Sequence, residues 1–179
     1  NDLGVKYSLN DYVLKATAKA LKNNKHILVS LDGDQIIKRA HVNIGMAVAL
    51  EDGLIVPVIK DADKMSLGEI SEAARDLAER ARTNKLSMDE YKGSTFSISN
   101  LGMFGVETFN PIINQPDAGI LGVCAVQDEL VMDDAGAITK RQFMRISFTF
   151  DHRLIDGATA AKFELAIRDL MEHPMQILL

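Results

Sequence analysis

Gln142-Phe-Met-Arg-Ile-Ser-Phe-Thr-Phe150 runs directly into Asp151-His152-Arg153-Leu154-Ile155-Asp156-Gly157. Apolar and hydroxyl residues make the first part a long strand. It ends abruptly in a charged heptad, and a helix begins at Gly157. From Gly157 to Glu172 the apolar residues Ala160, Phe163, Ile167, Leu170 and Met171 recur at helical spacing. Pro174 closes that helix, since proline has no N–H to continue it. A strand, a loop and a helix therefore follow one another with little connecting chain, and the loop holds the charged heptad.

Working toward the N-terminus, Asp133-Asp-Ala-Gly136 reads as a turn and Ala118 to Val126 as an apolar strand. Thr95-Phe-Ser-Ile-Ser99 alternates with period two, a strand signature. Asn100-Leu-Gly-Met-Phe-Gly105 breaks it with two glycines. Ser66-Leu-Gly-Glu69 is a capping box, and it opens a helix to about Asn84. The apolar stripe of that helix is Leu67, Ile70, Ala73, Ala74, Leu77, Ala78 and Ala81. Gln35–Arg39, Val42–Leu50 and Leu54–Ile59 are strands, with Glu51-Asp52-Gly53 a hairpin turn between the last two. Pro57 places the returning strand at an edge or a bulge. Ser8-Leu-Asn-Asp11 caps a first helix that ends near Asn23-Asn24. Strands outnumber helices and several are joined by hairpins. The expected fold is one α+β domain over residues 1–179, a mixed and mostly antiparallel sheet with helices packed on one side.

The composition excludes several function classes. A net charge of −5 argues against non-specific binding to nucleic acid or to an anionic membrane surface. No apolar run reaches the eighteen residues of a bilayer span. Asn1-Asp2-Leu3-Gly4 is no signal peptide, and without an initiator Met the chain is expected to be processed or a fragment. One cysteine, Cys124, excludes an intrachain disulfide framework and fits a reducing compartment. Trp is absent and aromatics make up 6%, so the core must rest on aliphatic side chains and Met.

His152 is the sharpest candidate for chemistry. It stands where a strand gives way to a loop, and its free pKa of about 6.5 suits proton transfer near neutrality. Asp156, four residues on, could orient the imidazole or hold the loop. The same residues also read as surface charges at a turn, with Asp156 as an N-cap. Ser97 and Ser99 share one face of a strand. Ser99 adjoins a glycine-bearing bend where a hydroxyl could donate to an oxyanion. Its bland reading is a turn serine bonded to local backbone. His26, His41 and His173 are isolated, and Cys124 reads as buried filler. No G-x-G-x-x-G, P-loop or G-x-S-x-G pattern is present.

Taken together, these segments resemble the dihydrolipoyl acyltransferases of 2-oxoacid dehydrogenase complexes. The heptad Asp151–Gly157 resembles their D-H-R-x-x-D-G signature, which extends the H-x-x-x-D-G motif of chloramphenicol acetyltransferase. Thr95–Gly105 is similar to their oxyanion-serine segment. Pro111-Ile-Ile-Asn-Gln-Pro116, Ala118–Val123, Gly53–Val58 and the ending Ile177-Leu-Leu179 are similar too, in the right order.

The resemblance implies a chloramphenicol-acetyltransferase-like fold and transfer of an acyl group, by the look of Ser99–Gly105 an acetyl group, between dihydrolipoamide and coenzyme A. It implies His152 as general base, Ser99 as oxyanion donor and Asp156 as holder of the histidine loop. It further implies trimers built into a larger core, with lipoyl domains, a decarboxylase and dihydrolipoyl dehydrogenase as partners. No metal is implied, and the expected location is the cytoplasm, or the mitochondrial matrix in a eukaryote. The family's N-terminal catalytic segment and its lipoyl and subunit-binding modules are expected to lie outside this chain. Asp61-Ala-Asp-Lys64 is not read as a lipoylation site, because it precedes a capped helix. Two other readings are a non-catalytic core paralogue, which typically lacks the histidine, and an O-acetyltransferase. Arg153 and the Asn100–Gly105 segment favour the lipoyl reading.

Overall fold

The computed structural model describes residues 6–178. The readings of Asn1–Gly4 and of Leu179 lie outside them. Helix α1 (Leu9–Asn23) starts as its capping box dictates. Ser8 Oγ accepts from Asp11 N at 3.2 Å, and Ser8 N donates to Asp11 Oδ2 at 2.8 Å. Asp11 is itself buried and also accepts from Ser71 Oγ at 2.9 Å, which ties α1 to helix α2 (Leu67–Arg82). Ser66 and Glu69 make the equivalent reciprocal pair at the start of α2. The Asp61–Lys64 turn leads into it, and there Asp61 pairs with His41 and Lys64 at the surface.

The main sheet has five strands: β3 (Ile44–Met46), β6 (Val58–Ile59), β7 (Phe96–Asn100), β8 (Gly119–Met132) and β9 (Ile138–Phe150). Their spatial order is β6-β3-β7-β8-β9. The two central contacts, β3 with β7 and β7 with β8, are parallel; the two outer ones are antiparallel. Two small antiparallel hairpins, β1 (Val29–Asp32) with β2 (Gln35–Lys38) and β4 (Val48–Leu50) with β5 (Gly53–Ile55), complete a mixed set in which most pairings are antiparallel.

The strand expected over Val42–Leu50 is divided between two sheets. Ala47 N donates to Ile98 O at 2.9 Å, and beyond it the chain leaves the main sheet for the β4–β5 hairpin. The return past Pro57 is likewise split, and β6 is the edge strand that Pro57 foreshadowed. The β8–β9 hairpin is longer than the alternation suggested. Beyond Asn100↔Val123 strand β8 has lost β7, and it continues with β9 as a two-stranded ribbon.

One face of the sheet carries Ile98, Leu121, Phe148 and, by the same alternation, Phe96 and Phe150. Helix α3 (Gly157–Glu172) packs there. The fully buried Phe163 ring lies 5.5 Å from Phe96 and 5.3 Å from Phe148. Burying one such side chain contributes about 1.5–3 kcal/mol. Helix α1 contacts both α2 and α3 and fills the same layer. Pro174 ends α3 as expected, and the short α4 (Met175–Leu178) follows.

The other face carries Ser97, Ser99, Gly122 and Ser147 and is covered by chain around Phe109 and Pro111. A Cβ on Gly122 would meet Ser147 Oγ at 2.4 Å and Phe109 and Pro111 at 3.1 Å, so only glycine admits that close layer.

Arg80 on α2 grips the turn after it. Its guanidinium reaches Asp76 Oδ2 at 2.7 Å and both carboxylate oxygens of Glu90, at 2.9 and 2.5 Å. The Arg80 hydrogen bond, with help from Ser87, holds the Glu90 carboxyl down at about 2 from an ordinary value of 4.5. A depressed carboxylate stabilises the fold above its unfolded pKa and loses that contribution as pH falls through the folded value. Thermal melts of the wild type and Glu90→Gln should therefore converge as pH falls from about 4.5 toward 2, with the wild type more stable above that window. Parallel curves over the whole range would show that the pair contributes nothing.

Candidate active site

Ser99 stands near the C-terminal end of β7, opposite Gly122 of β8. The bend after it is firmly built. Leu101 N donates to Val123 O at 3.0 Å, and Gly102 N donates to Asn100 Oδ1 at 2.9 Å. Asn100 Nδ2 donates to Asn10 Oδ1 at 2.9 Å, which ties the strand end to the first turn of α1. A Cβ on Gly102 would sit 2.7 Å from the Cys124 carbonyl oxygen, so glycine is required for the bend to lie on β8. Ser99 is half-buried and lines an open cleft of about 1060 Å³. That is at the upper end of the size of small-molecule sites. Met103 and Phe104, both exposed, stand on its rim, and Arg75 and Arg82 of α2 give it positive charge.

Ser97, two residues earlier on the same face, is 1% exposed. Its hydroxyl donates to Asp117 Oδ2 at 2.6 Å. The two serines share a face but not a setting: Ser99, beside the glycine-bearing bend, lines the cleft and Ser97 is engaged in the interior.

His152 lies in the turn after β9 and is exposed. Its ring lies 5.5 Å from that of Phe150, tilted by 43°. The turn is held by its neighbours. Asp151 N donates to Ala118 O at 2.8 Å, and Leu154 N and Ile155 N donate back to Asp151 O. Arg153 clasps the Asp151 carboxylate, reaching Oδ2 at 2.6 Å, and this holds the carboxyl below its usual range. Asp156 caps α3, accepting from Thr159 N at 2.9 Å and from Thr159 Oγ1 at 2.7 Å, which lowers its pKa. It fixes the exit of the histidine turn through that cap, with its carboxylate engaged by Thr159 rather than by the imidazole.

The two candidate groups do not meet within one chain. Phe150 is opposite Gly119 on β8 while Ser99 is opposite Gly122. Three residues along and two strands across correspond to about 10 Å in each direction. His152 lies beyond Phe150 again. By alternation Phe150 projects on the helix face and Ser99 on the opposite face. Proton transfer needs a reach of about 3 Å, or one bridging water. A single copy therefore holds two halves of a site at opposite ends and faces of its sheet.

The other sequence candidates have quieter places. Cys124 is buried in β8, and His26 is exposed. His173 bonds the Asp169 carbonyl at the end of α3. Among the described residues no three His, Cys, Asp or Glu side chains are arranged to hold a metal. Sequence reading passed over Asp117, a buried carboxylate beside Ser97, and Asn10. Neither carries a local signal, because each acquires its partners only in the folded chain.

A family model for the catalytic domain of 2-oxoacid dehydrogenase acyltransferases matches residues 1–179. The succinyltransferase component of the 2-oxoglutarate dehydrogenase complex of Rickettsia typhi is 43% identical over 98% of this chain and 44% of its own length. The acetyltransferase component of the Zymomonas mobilis pyruvate dehydrogenase complex is 45% identical over 97% of this chain and 39% of its own length. The chain thus spans less than half the length of these relatives. A solved dihydrolipoamide acetyltransferase of Azotobacter vinelandii superposes with a TM-score of 0.91 at 39% identity, covering 99% of this chain and 74% of that one. That work addressed the catalytic roles of a serine, a histidine and, four residues after the histidine, an asparagine. Here Asp156 stands four residues after His152. Chloramphenicol acetyltransferase superposes at a TM-score of 0.58 and 14% identity over 92% of this chain and 78% of its own, a likeness of fold, as the heptad led us to expect.

Proposed function

This chain belongs to the 2-oxoacid dehydrogenase acyltransferase family, and from that we propose that it moves an acyl group between the thiols of dihydrolipoamide and coenzyme A. Both are substrates; the lipoyl group is carried on a separate domain. His152 takes the proton from the incoming thiol. A thiol of pKa about 8.5 is mostly protonated at pH 7, so a base within reach raises the rate by about 10²–10⁴-fold. The sulfur attacks the thioester carbonyl, a new C–S bond forms, and the carbonyl oxygen becomes an oxyanion. Ser99 Oγ–H donates to that oxygen. Collapse breaks the old C–S bond, and the departing thiolate takes the proton back from His152. Asp156 acts as a positioning residue through the α3 cap.

The observation that carries this reading is the pairing of a cleft-lining serine with a heptad histidine that it cannot reach in its own chain. A second copy must bring its histidine turn to the cleft, so the working unit is a symmetric oligomer. We take it to be a trimer, within a larger core that binds lipoyl domains and the decarboxylase and dehydrogenase components. The acetyl assignment rests on the Ser99–Gly105 segment, since relatives of near-equal identity act on succinyl and acetyl groups. The fold likeness to chloramphenicol acetyltransferase keeps a hydroxyl acceptor as the second reading.

One assay separates these readings. With acetyl-CoA and then succinyl-CoA as donor, dihydrolipoamide should accept the acyl group and chloramphenicol should not. Transfer to chloramphenicol alone would favour the second reading, and transfer to neither would leave a structural core subunit.

A further inference from the structure

Asp117 is a charged side chain in the wrong place for a charge. It lies between the sheet and the segment that covers its serine face, and it is 4% exposed. Its Oδ2 accepts from Ser97 Oγ at 2.6 Å and lies 2.7 Å from Ser94 Oγ. Its Oδ1 is buried with no hydrogen-bond partner. An ionised carboxylate in that setting would leave a half-charged oxygen unsolvated, which is costly. Neither nearby arginine forms an ion pair with it. Arg39 acts through space but gives its Nε–H to Ser30 Oγ at 3.0 Å. Arg153, across a small cavity of about 190 Å³ that Asp117 also lines, is clasped to Asp151.

Hydrogen counting points the same way. Ser94 has one hydroxyl proton and two acceptors in range, Asp117 Oδ2 and Phe96 O at 3.2 Å. A proton on Asp117 Oδ2 resolves this. Asp117 then donates to Ser94 Oγ, Ser94 donates to Phe96 O, and Ser97 still donates to Oδ2. Burial pushes the carboxyl pKa up, the two serine hydrogen bonds opposing it only in part.

The position of this carboxyl links both halves of the site. Ser97 is on β7 two residues before Ser99. Ala118, the next residue after Asp117, accepts from Asp151 N and so anchors the His152 turn. Asn114 Nδ2, in the covering segment, donates to Ser97 Oγ at 3.3 Å. We propose that Asp117 is a positioning residue that works in its protonated, uncharged form, latching the strand that bears Ser99 to the anchor of the His152 turn. The proposal rests on the acyl-transfer reading above. When Asp117 ionises, an unpaired charge sits between the two layers, and both Ser99 and His152 lose their common support.

The test compares Asp117→Asn with Asp117→Ala in the intact protein, reading kcat, KM and thermal stability across pH. A carboxyl with a raised folded pKa stabilises the fold at low pH and loses that contribution as pH rises from its ordinary value near 3.8 through the raised one. Melting temperatures of the wild type should therefore fall relative to Asp117→Asn over that rise. Asp117→Asn keeps a neutral group of nearly the same shape, so it should retain kcat within a few-fold. Asp117→Ala should lower kcat about ten- to a hundredfold, with little change in KM, as expected when reacting groups are displaced by up to about 1 Å. A folded Asp117→Asn protein as impaired as Asp117→Ala would overturn the proposal, because the charge would then be needed. So would wild-type and Asp117→Asn melting curves that stay parallel in pH. If Asp117→Ala fails to fold, the wild-type and Asp117→Asn comparison still decides. If the wild type transfers no acyl group, the functional reading fails, while the melting comparison still judges the latch.

Discussion

Replacing His152 with alanine should lower acyl transfer to dihydrolipoamide by at least about a hundredfold while leaving the melting temperature nearly unchanged. The two expectations have separate causes. The loss of rate follows from the thiol. At neutral pH only a few per cent of it is ionised, and a positioned base supplies the rest as attack proceeds. The unchanged stability follows from the setting. His152 is exposed, and its ring lies 5.5 Å from that of Phe150. Surface substitutions of this kind usually stay within about 0.5 kcal/mol. The turn itself is held by Asp151, Arg153 and Ala118, all of which remain. Activity within a few-fold of wild type would remove His152 from the chemistry.

Ser99→Ala should cost a comparable amount, about 10²–10³-fold in kcat, with KM little altered. The hydroxyl is weakly engaged before reaction and donates strongly only once the oxyanion forms, so its loss falls on the transition state. Ser97→Ala is the control that geometry makes informative. Ser97 is 1% exposed and donates to a buried carboxyl, so removing its hydroxyl should destabilise the fold by about 1–3 kcal/mol. Ser99, at the cleft, has no such duty and its variant should melt like the wild type. An effect of Ser99→Ala confined to KM, or a greater kcat loss from Ser97→Ala at a temperature where both are folded, would reverse the assignment.

Much of this was legible from residues alone. Both capping boxes start helices where Ser8 and Ser66 stand, including the one with Asp11 in the usual Glu position. These signals are local, four residues wide, and need no tertiary contact. The length of β8 was not legible. Gln127 to Met132 reads Gln-Asp-Glu-Leu-Val-Met, with no polar–apolar alternation to mark it as strand. Among the described residues it pairs with β9 alone, and sequence does not say how far a hairpin outruns its sheet. The division of Val42–Leu50 was hidden for a related reason. Periodicity marks residues as extended, whereas the sheet they join depends on partners such as Ile98, far along the chain.

The site divides in the same way. His152 and Ser99 stood out because each ends a strand beside a turn of unusual composition. Their placement on opposite faces and at opposite ends required the order β7-β8-β9 and its register. Asp117, between Pro116 and Ala118, carried no signal in the sequence. Only the folded chain puts it against Ser94 and Ser97.

The central claim is that each site is built by two copies, one supplying Ser99 and the other His152. It is tested most directly by mixing. A His152→Ala chain and a Ser99→Ala chain, each nearly inactive alone, are co-assembled, and sedimentation verifies the mixed oligomer. Some interfaces in it then pair an intact His152 with an intact Ser99, and acyl transfer should return to a sizeable fraction of the wild-type rate. If the site were confined to one chain, every chain would still lack one group, and a verified mixed oligomer would stay inactive.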